Sequence, residues 1–307
     1  VSAVADVPDG AASSVATRAG VWRWIELIRV KQWIKNGFVL AGLFFSDQAG
    51  HARVVGRSLA AVLAFCFVSG AVYCLNDIFD RVADAAHPEK RSRPVASGAV
   101  SPREAIGVMV ALLAGAAAIV AAVGYPWQVA AILATYFAMN VAYSARLKHV
   151  SLVDVVVIAA GFVLRLVAGT YAVNVPPTSW IVLCTGLLSL FLALGKRRGD
   201  VERDQATARD SLSGYTVAYI DQALGMIGAA TIVVYALFTV SEYAMIRYDA
   251  PLLYLTTFPV ALGFLRYLQI VVVDGQYGSP VDVALHDRPL QLVGLIWLAM
   301  FATFVYG

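Results

Sequence analysis

The sequence predicts an all-α, polytopic membrane protein, and three observations carry that expectation. Of 307 residues, 60% are hydrophobic and only 14% charged, where a soluble domain carries roughly 25% charge. Apolar runs of about the length a helix needs to cross the hydrocarbon layer recur along the chain. Between them, Lys and Arg collect on alternate connections, the asymmetry that orients membrane proteins.

In chain order, residues 1–20 are Ala-, Ser- and Val-rich and read as a loose N-terminal tail, with residues 21–307 forming one transmembrane domain. From Trp22 the text WRWIELIRVKQWIKN suggests an interfacial helix. Trp22, Ile25 and Trp33 fall near one side and Lys31 and Lys35 on the other, while Arg23 and Arg29 blur the boundary. Nine spans are expected, near 36–46, 58–76, 104–124, 126–143, 151–170, 179–195, 218–240, 251–270 and 289–306. With the N-terminus inside, Lys35, Arg81, Lys90, Arg91, Arg93, Arg103, Arg146, Lys148 and Lys196 to Arg198 fall on the cytoplasmic side, and Arg53, Arg57 and Arg247 outside. The three cysteines sit in or beside apolar runs without CxxC spacing, which implies neither a disulfide framework nor a metal site.

Chemistry concentrates between Asn76 and Pro94, NDIFDRVADAAHPEKRSRP. Asp77, Asp80 and Asp84 are spaced three and four apart, which on one helix gives one acidic face. Stacked carboxylates repel unless a cation lies among them, and magnesium takes oxygen ligands while leaving room for phosphate. Lys90, Arg91 and Arg93 follow closely. A solvated helix end, with each acid paired to a nearby base, is the plainer reading of the same text.

A second group, GKRRGDVERD, puts Asp200 and Asp204 four apart beside Lys196, Arg197 and Arg198. Acids that hold metal next to bases that hold phosphoryl oxygens suit a diphosphate. The bases alone would equally serve as a positive-inside anchor. Asp154 and Arg165 lie within an apolar run and are expected to face the protein interior. No P-loop, Rossmann glycine pattern, Ser/His/Asp arrangement or basic–aromatic nucleic-acid pattern is present.

Asn76, Asp77, Asp80 and Asp84 match the NDxxDxxxD motif, and the chain resembles the UbiA superfamily of intramembrane prenyltransferases from about residue 21 onward. RVKQWIKN, YSARLKH (Tyr143 to His149) and GKRRGD are most similar to a branch that transfers 5-phosphoribose from 5-phosphoribosyl 1-diphosphate to a decaprenyl (polyprenyl) phosphate. That branch supplies the decaprenyl-phosphate arabinose donor. The resemblance implies nine helices around a cytoplasm-facing cleft, Mg2+ as cofactor, and a plasma-membrane enzyme. On that basis Asp77, Asp80 and Asp84 would hold the metal, with Asp77, Asp80, Lys148 and Lys196 at the reacting centre. Asn76, Arg91, Arg93, Tyr143, Arg146, Arg197, Arg198, Asp200 and Asp204 would bind the donor. Aromatic-acceptor members often carry YPxxKR, whereas here Ser144 follows Tyr143 and Lys148 comes one position late. Two other readings use the same text: a transferase with a prenyl diphosphate donor and an aromatic or glycerol-phosphate acceptor, and a transporter with Asp154 and Arg165 as a coupling pair.

Overall fold

The computed structural model describes residues 20–44, 50–88, 90–203, 214–275 and 280–306. The expected tail therefore lies outside the described residues, apart from its last position. The fold is helical throughout the described residues. Its principal elements are α1 (20–27), α2 (Ala52–Phe79), α3 (Arg81–Ala86), α4 (Pro102–Val123), α5 (Trp127–Ala145) and α6 (Val153–Ala172). They continue as α7 (Ser179–Arg203), α8 (Val217–Thr239), α9 (Glu242–Tyr248), α10 (Thr257–Leu268), α11 (Pro280–His286) and α12 (Arg288–Tyr306). Seven segments among the described residues are long and apolar enough to span a bilayer: α2, α4, α6, α7, α8, Leu253–Val273 and α12. The protein is accordingly a multi-pass membrane protein. Helix α5 has 19 residues and no charge, and it carries the polar residues Gln128, Thr135, Asn140 and Ser144.

The first expected span differs most. Over Val30–Leu40 the backbone is a 3₁₀ helix, followed by the single α-turn Ala41–Phe44. Gly37 and Gly42 both disfavour a continuous α-helix here. Gly42 has a packing role as well. A Cβ on Gly169 would stand 1.8 Å from the Val39 carbonyl oxygen, and one on Gly42 would stand 2.5 Å from the Gly169 carbonyl carbon and oxygen. Backbone touches backbone at this crossing, so only glycine fits.

The chain divides into two compact units. The first contains residues 1–145 and 167–175. Its α2 packs most extensively on α4, and its core gathers Leu27, Cys74, Val95, Val100 and Ala105. Local signals set the ends of α4: Ser101 and Glu104 form a reciprocal capping box, Pro102 opens the first turn, and Gly124 closes the helix in the left-handed region at φ 65°. Arg57 donates to the terminal carbonyls of Val123 (3.1 Å) and Ala172 (2.9 Å), placing its charge at the negative ends of two helices. In α1 the buried residue is Leu27, while Trp22 is exposed. The expected Trp22–Ile25–Trp33 face is not one face here, because the helix stops before Arg29, whose backbone is left-handed.

The second unit contains residues 146–166 and 176–307. Here α7 packs along α8, and α10 along α12. Phe191, Phe264 and Tyr267 cluster in its core with Ile220, Leu224 and Ile270. Helix α10 passes into a π-helical turn over Gln269–Val273.

Gly169→Ala is expected to lower stability by about 2 kcal/mol or more, because the backbones must separate to admit the methyl group. Gly56→Ala, where a Cβ meets nothing within 4 Å, is the control and should be neutral or mildly stabilising. Thermal unfolding of the two purified variants in one detergent checks the contrast, and equal midpoints would contradict the tight crossing.

Candidate active site

The first acidic segment is not one continuous helix. Asn76 and Asp77 end α2, Asp80 sits at a break (φ −89°, ψ 1°), and Asp84 lies on α3. The continuous helix expected to carry the three acids on one face is therefore interrupted at Asp80. Asp77 and Asp84 are buried and Asp80 is half-buried. Each buried acid has its own arginine. Arg29 donates to Asp77 Oδ1, and Arg93 donates to Asp84 Oδ2 at 2.5 Å. Asp77 Oδ2 is buried and has no hydrogen-bond partner among the described residues. Ser144, near the end of α5, donates to Asn76 Oδ1.

Among the described residues, no group of three His, Cys, Asp or Glu side chains forms a ready-made ion cage. Magnesium does not require one, since it is commonly held by one or two carboxylates and completes its octahedron with water and substrate phosphate. The orphaned Asp77 Oδ2 is a hard anionic oxygen of the type such an ion takes, and the residues present fit it. Of the remaining sequence candidates in this unit, Arg91 is exposed and Tyr143 is half-buried in the last turn of α5.

In the second unit, α7 runs well past the expected end at 195. The acids and bases that follow make pairs at helical spacing, which extends it to Arg203. GKRRGD is thus part of a helix. Arg197 is buried and forked between Asp154 Oδ2 (2.6 Å) and Asp200 Oδ2 (2.9 Å). Arg198, also buried, donates to Asp221 Oδ1 (2.6 Å), Glu202 Oε2 (2.8 Å) and the Val271 carbonyl (2.9 Å) in the π-helical turn. Both arginines expected to hold donor phosphate therefore already bind carboxylates. Lys196 is exposed, Arg146 is exposed beside the break after α5, and Lys148 is half-buried in the short turn Leu147–His149. Asp204 lies outside the described residues.

Asp154 is fully buried. Its Oδ1 accepts from the Tyr215 hydroxyl (2.7 Å) and the Val155 amide (2.9 Å). The Tyr215 hydroxyl in turn accepts from the Leu152 amide at 2.7 Å. Burial, and then the hydrogen bond it gives Asp154, push the Tyr215 phenol well above its usual range, so it keeps its proton. Arg165 turns instead to the Gly161 carbonyl (2.8 Å) and the face of Phe162. The expected Asp154–Arg165 coupling pair is replaced by Asp154–Arg197, which removes the main support for a transporter.

Arg29, Ser144, Asp154, Tyr215 and Asp221 are the residues that site reasoning from sequence missed or left without a role. For Arg29 a signal exists: with Arg23, it is one of two bases that break the sorting of the amphipathic segment.

Acid–guanidinium sets at the ends of apolar helices define a membrane protein that seats charge at its helix ends. The comparisons specify the class: residues 37–280 match the UbiA prenyltransferase family, and the chain belongs to that family. It is 33% identical over 299 residues, covering 92% of each chain, to decaprenyl-phosphate phosphoribosyltransferase of Mycolicibacterium smegmatis. Identity is also 33% over 290 residues, 92% of this chain and 86% of the relative, to the enzyme of that name from Corynebacterium glutamicum. A UbiA homologue from Archaeoglobus fulgidus, solved with GPP and Mg2+, shares the fold with a TM-score of 0.67 at 19% identity, over 92% of this chain and 98% of that one.

Removing Arg29 leaves a buried carboxylate without its counterion. Arg29→Ala is expected to cost about 3 kcal/mol of stability. Adding Asp77→Asn to it should recover part of that loss, a rescue that thermal unfolding of the single and double variants detects. A double variant less stable than Arg29→Ala would contradict the pairing.

Proposed function

We propose that this protein transfers 5-phosphoribose from 5-phosphoribosyl 1-diphosphate to decaprenyl phosphate, or a similar polyprenyl phosphate, and releases diphosphate. The product would feed decaprenylphosphoryl-arabinose and, through it, the arabinan of arabinogalactan and lipoarabinomannan. The observation that carries this reading is the similarity, across nearly the whole chain, to relatives bearing that name. The proposal includes nine spans and a plasma-membrane location, with the N-terminus and the chemistry on the cytoplasmic side as the Lys and Arg distribution favours.

The chemistry suits the residues. A phosphate oxygen of the lipid attacks C1 of the ribose as the C1–O bond to diphosphate breaks. The nucleophile is already anionic near neutral pH, so no strong general base is needed. Positive charge develops on the sugar ring and negative charge on the leaving group. Asp77 and Asp84, with Asp80 beside them, would hold magnesium, which supplies charge to offset the departing diphosphate. Asn76, Arg91 and Arg93 are assigned to donor oxygens. Tyr143, Arg146, Lys148 and Lys196 are assigned to the same donor, as are the helix end bearing Arg197, Arg198 and Asp200 and the following Asp204. The donor's 5-phosphate requires cationic contacts that a prenyl tail does not, and this chain is rich in bases at these segments. Ser144 stands where aromatic-acceptor members often have proline, and it is engaged with Asn76.

The test uses purified protein, magnesium, labelled phosphoribosyl diphosphate and decaprenyl phosphate. Lipid-soluble label and free diphosphate should appear together, vanish with EDTA, and fall to background hydrolysis without the lipid. Asp77→Asn and Asp84→Asn should each lower the rate by roughly three decades. No transfer here, with brisk transfer from a prenyl diphosphate to an aromatic acid, would overturn the phosphoribosyl reading and leave family membership intact.

A further inference from the structure

We propose that Tyr215 and Asp154 are positioning residues that set the carboxylate of Asp200 through Arg197 and hold in place the turn at Ser151 and Leu152, which follows the one that carries Lys148. This deepens the proposed function, which assigns Asp200 and Lys148 to the donor. The connection can be followed atom by atom. The Tyr215 hydroxyl donates to Asp154 Oδ1, Arg197 joins Asp154 Oδ2 to Asp200 Oδ2, and Asp200 is the most exposed member of the set. Side-chain exposure rises from 0% at Asp154 through 7% at Arg197 to 36% at Asp200. An acid at the accessible end of such a series would otherwise sample several rotamers. Here a guanidinium that is itself held from behind fixes one of them.

The other branch runs to the backbone. Leu152 has φ 68°, a left-handed conformation that is strained for a residue with a Cβ. Its amide is held by the Tyr215 hydroxyl, four residues beyond Lys148. The approach is close enough to require glycine next door, because a Cβ on Gly214 would lie 2.2 Å from Ser151 Oγ. Tyr215 is therefore pressed against this turn and bonded to it, while the same oxygen serves Asp154. One hydroxyl thus ties together two segments that the proposed reaction needs in register.

Tyr215→Phe removes the hydroxyl and keeps the ring. In the full-length purified protein it should raise KM for phosphoribosyl diphosphate about five-fold, the worth of one hydrogen bond, with kcat within two-fold. In an Asp200→Asn background the same change should raise KM by clearly less than five-fold, because only the branch through the Leu152 amide remains. Asp154→Asn provides a second variant with the same expected split. An unchanged KM in Tyr215→Phe, or a five-fold rise that persists without the Asp200 carboxylate, would overturn the relay. Hydrogen exchange of the peptide spanning Arg146 to Val155 needs no turnover. Exchange at this peptide should quicken several-fold in Tyr215→Phe, and unchanged exchange would also overturn the proposal. A wild-type protein that transfers no phosphoribose would reject the function alone, leaving the exchange measurement to decide the latch.

Discussion

A carboxylate in an apolar interior must meet a counter-charge or give up its own, and much of this structure is arranged around that constraint. Asp77 and Asp154 are both buried in helices of span-like composition, and each is met by an arginine. A guanidinium suits the task because it remains charged and its planar fork can serve two acceptors. Arg197 does so between Asp154 and Asp200, and Arg198 does so among Asp221, Glu202 and the Val271 carbonyl. These pairs seat carboxyl oxygens where a membrane helix would otherwise exclude them. One such oxygen, Asp77 Oδ2, has no hydrogen-bond partner among the described residues.

The same constraint explains local departures from regular helix. Arg29 reaches Asp77 from a left-handed backbone position between α1 and the 3₁₀ segment. Helix α2 ends at Asp80, so Asp84 is presented by a separate short helix and meets Arg93 from the following turn. The π-helical turn at Gln269–Val273 contains the carbonyl that Arg198 takes. Such irregularities cost conformational energy, and these three occur where charged groups are seated.

The sequence reveals much of the helical framework because hydrophobic length and capping chemistry are local. The expected 104–124, 218–240 and 289–306 correspond to Pro102–Val123, Val217–Thr239 and Arg288–Tyr306. Ser101, Glu104 and Gly124 fix their helix ends with residues that anyone can read. What was not legible is pairing at long range. Arg29 and Asp77 are 48 residues apart, and Tyr215 and Asp154 are 61 apart. No periodicity links them. For the bases beside Asp200, sequence shows their proximity to acids but not the burial of Arg197 and Arg198. The helix continues past residue 195 on those same ion pairs, which hydropathy alone ends too early.

The central claim is that the carboxylates of the first acidic segment hold a divalent ion together with a diphosphate. Manganese serves as a paramagnetic stand-in, and its binding to purified protein is followed by electron paramagnetic resonance with and without phosphoribosyl diphosphate. Protein and donor together should immobilise manganese beyond the sum of each alone, and Asp77→Asn should abolish that excess while the variant stays folded. Ternary manganese binding undiminished by Asp77→Asn and by Asp84→Asn would contradict it.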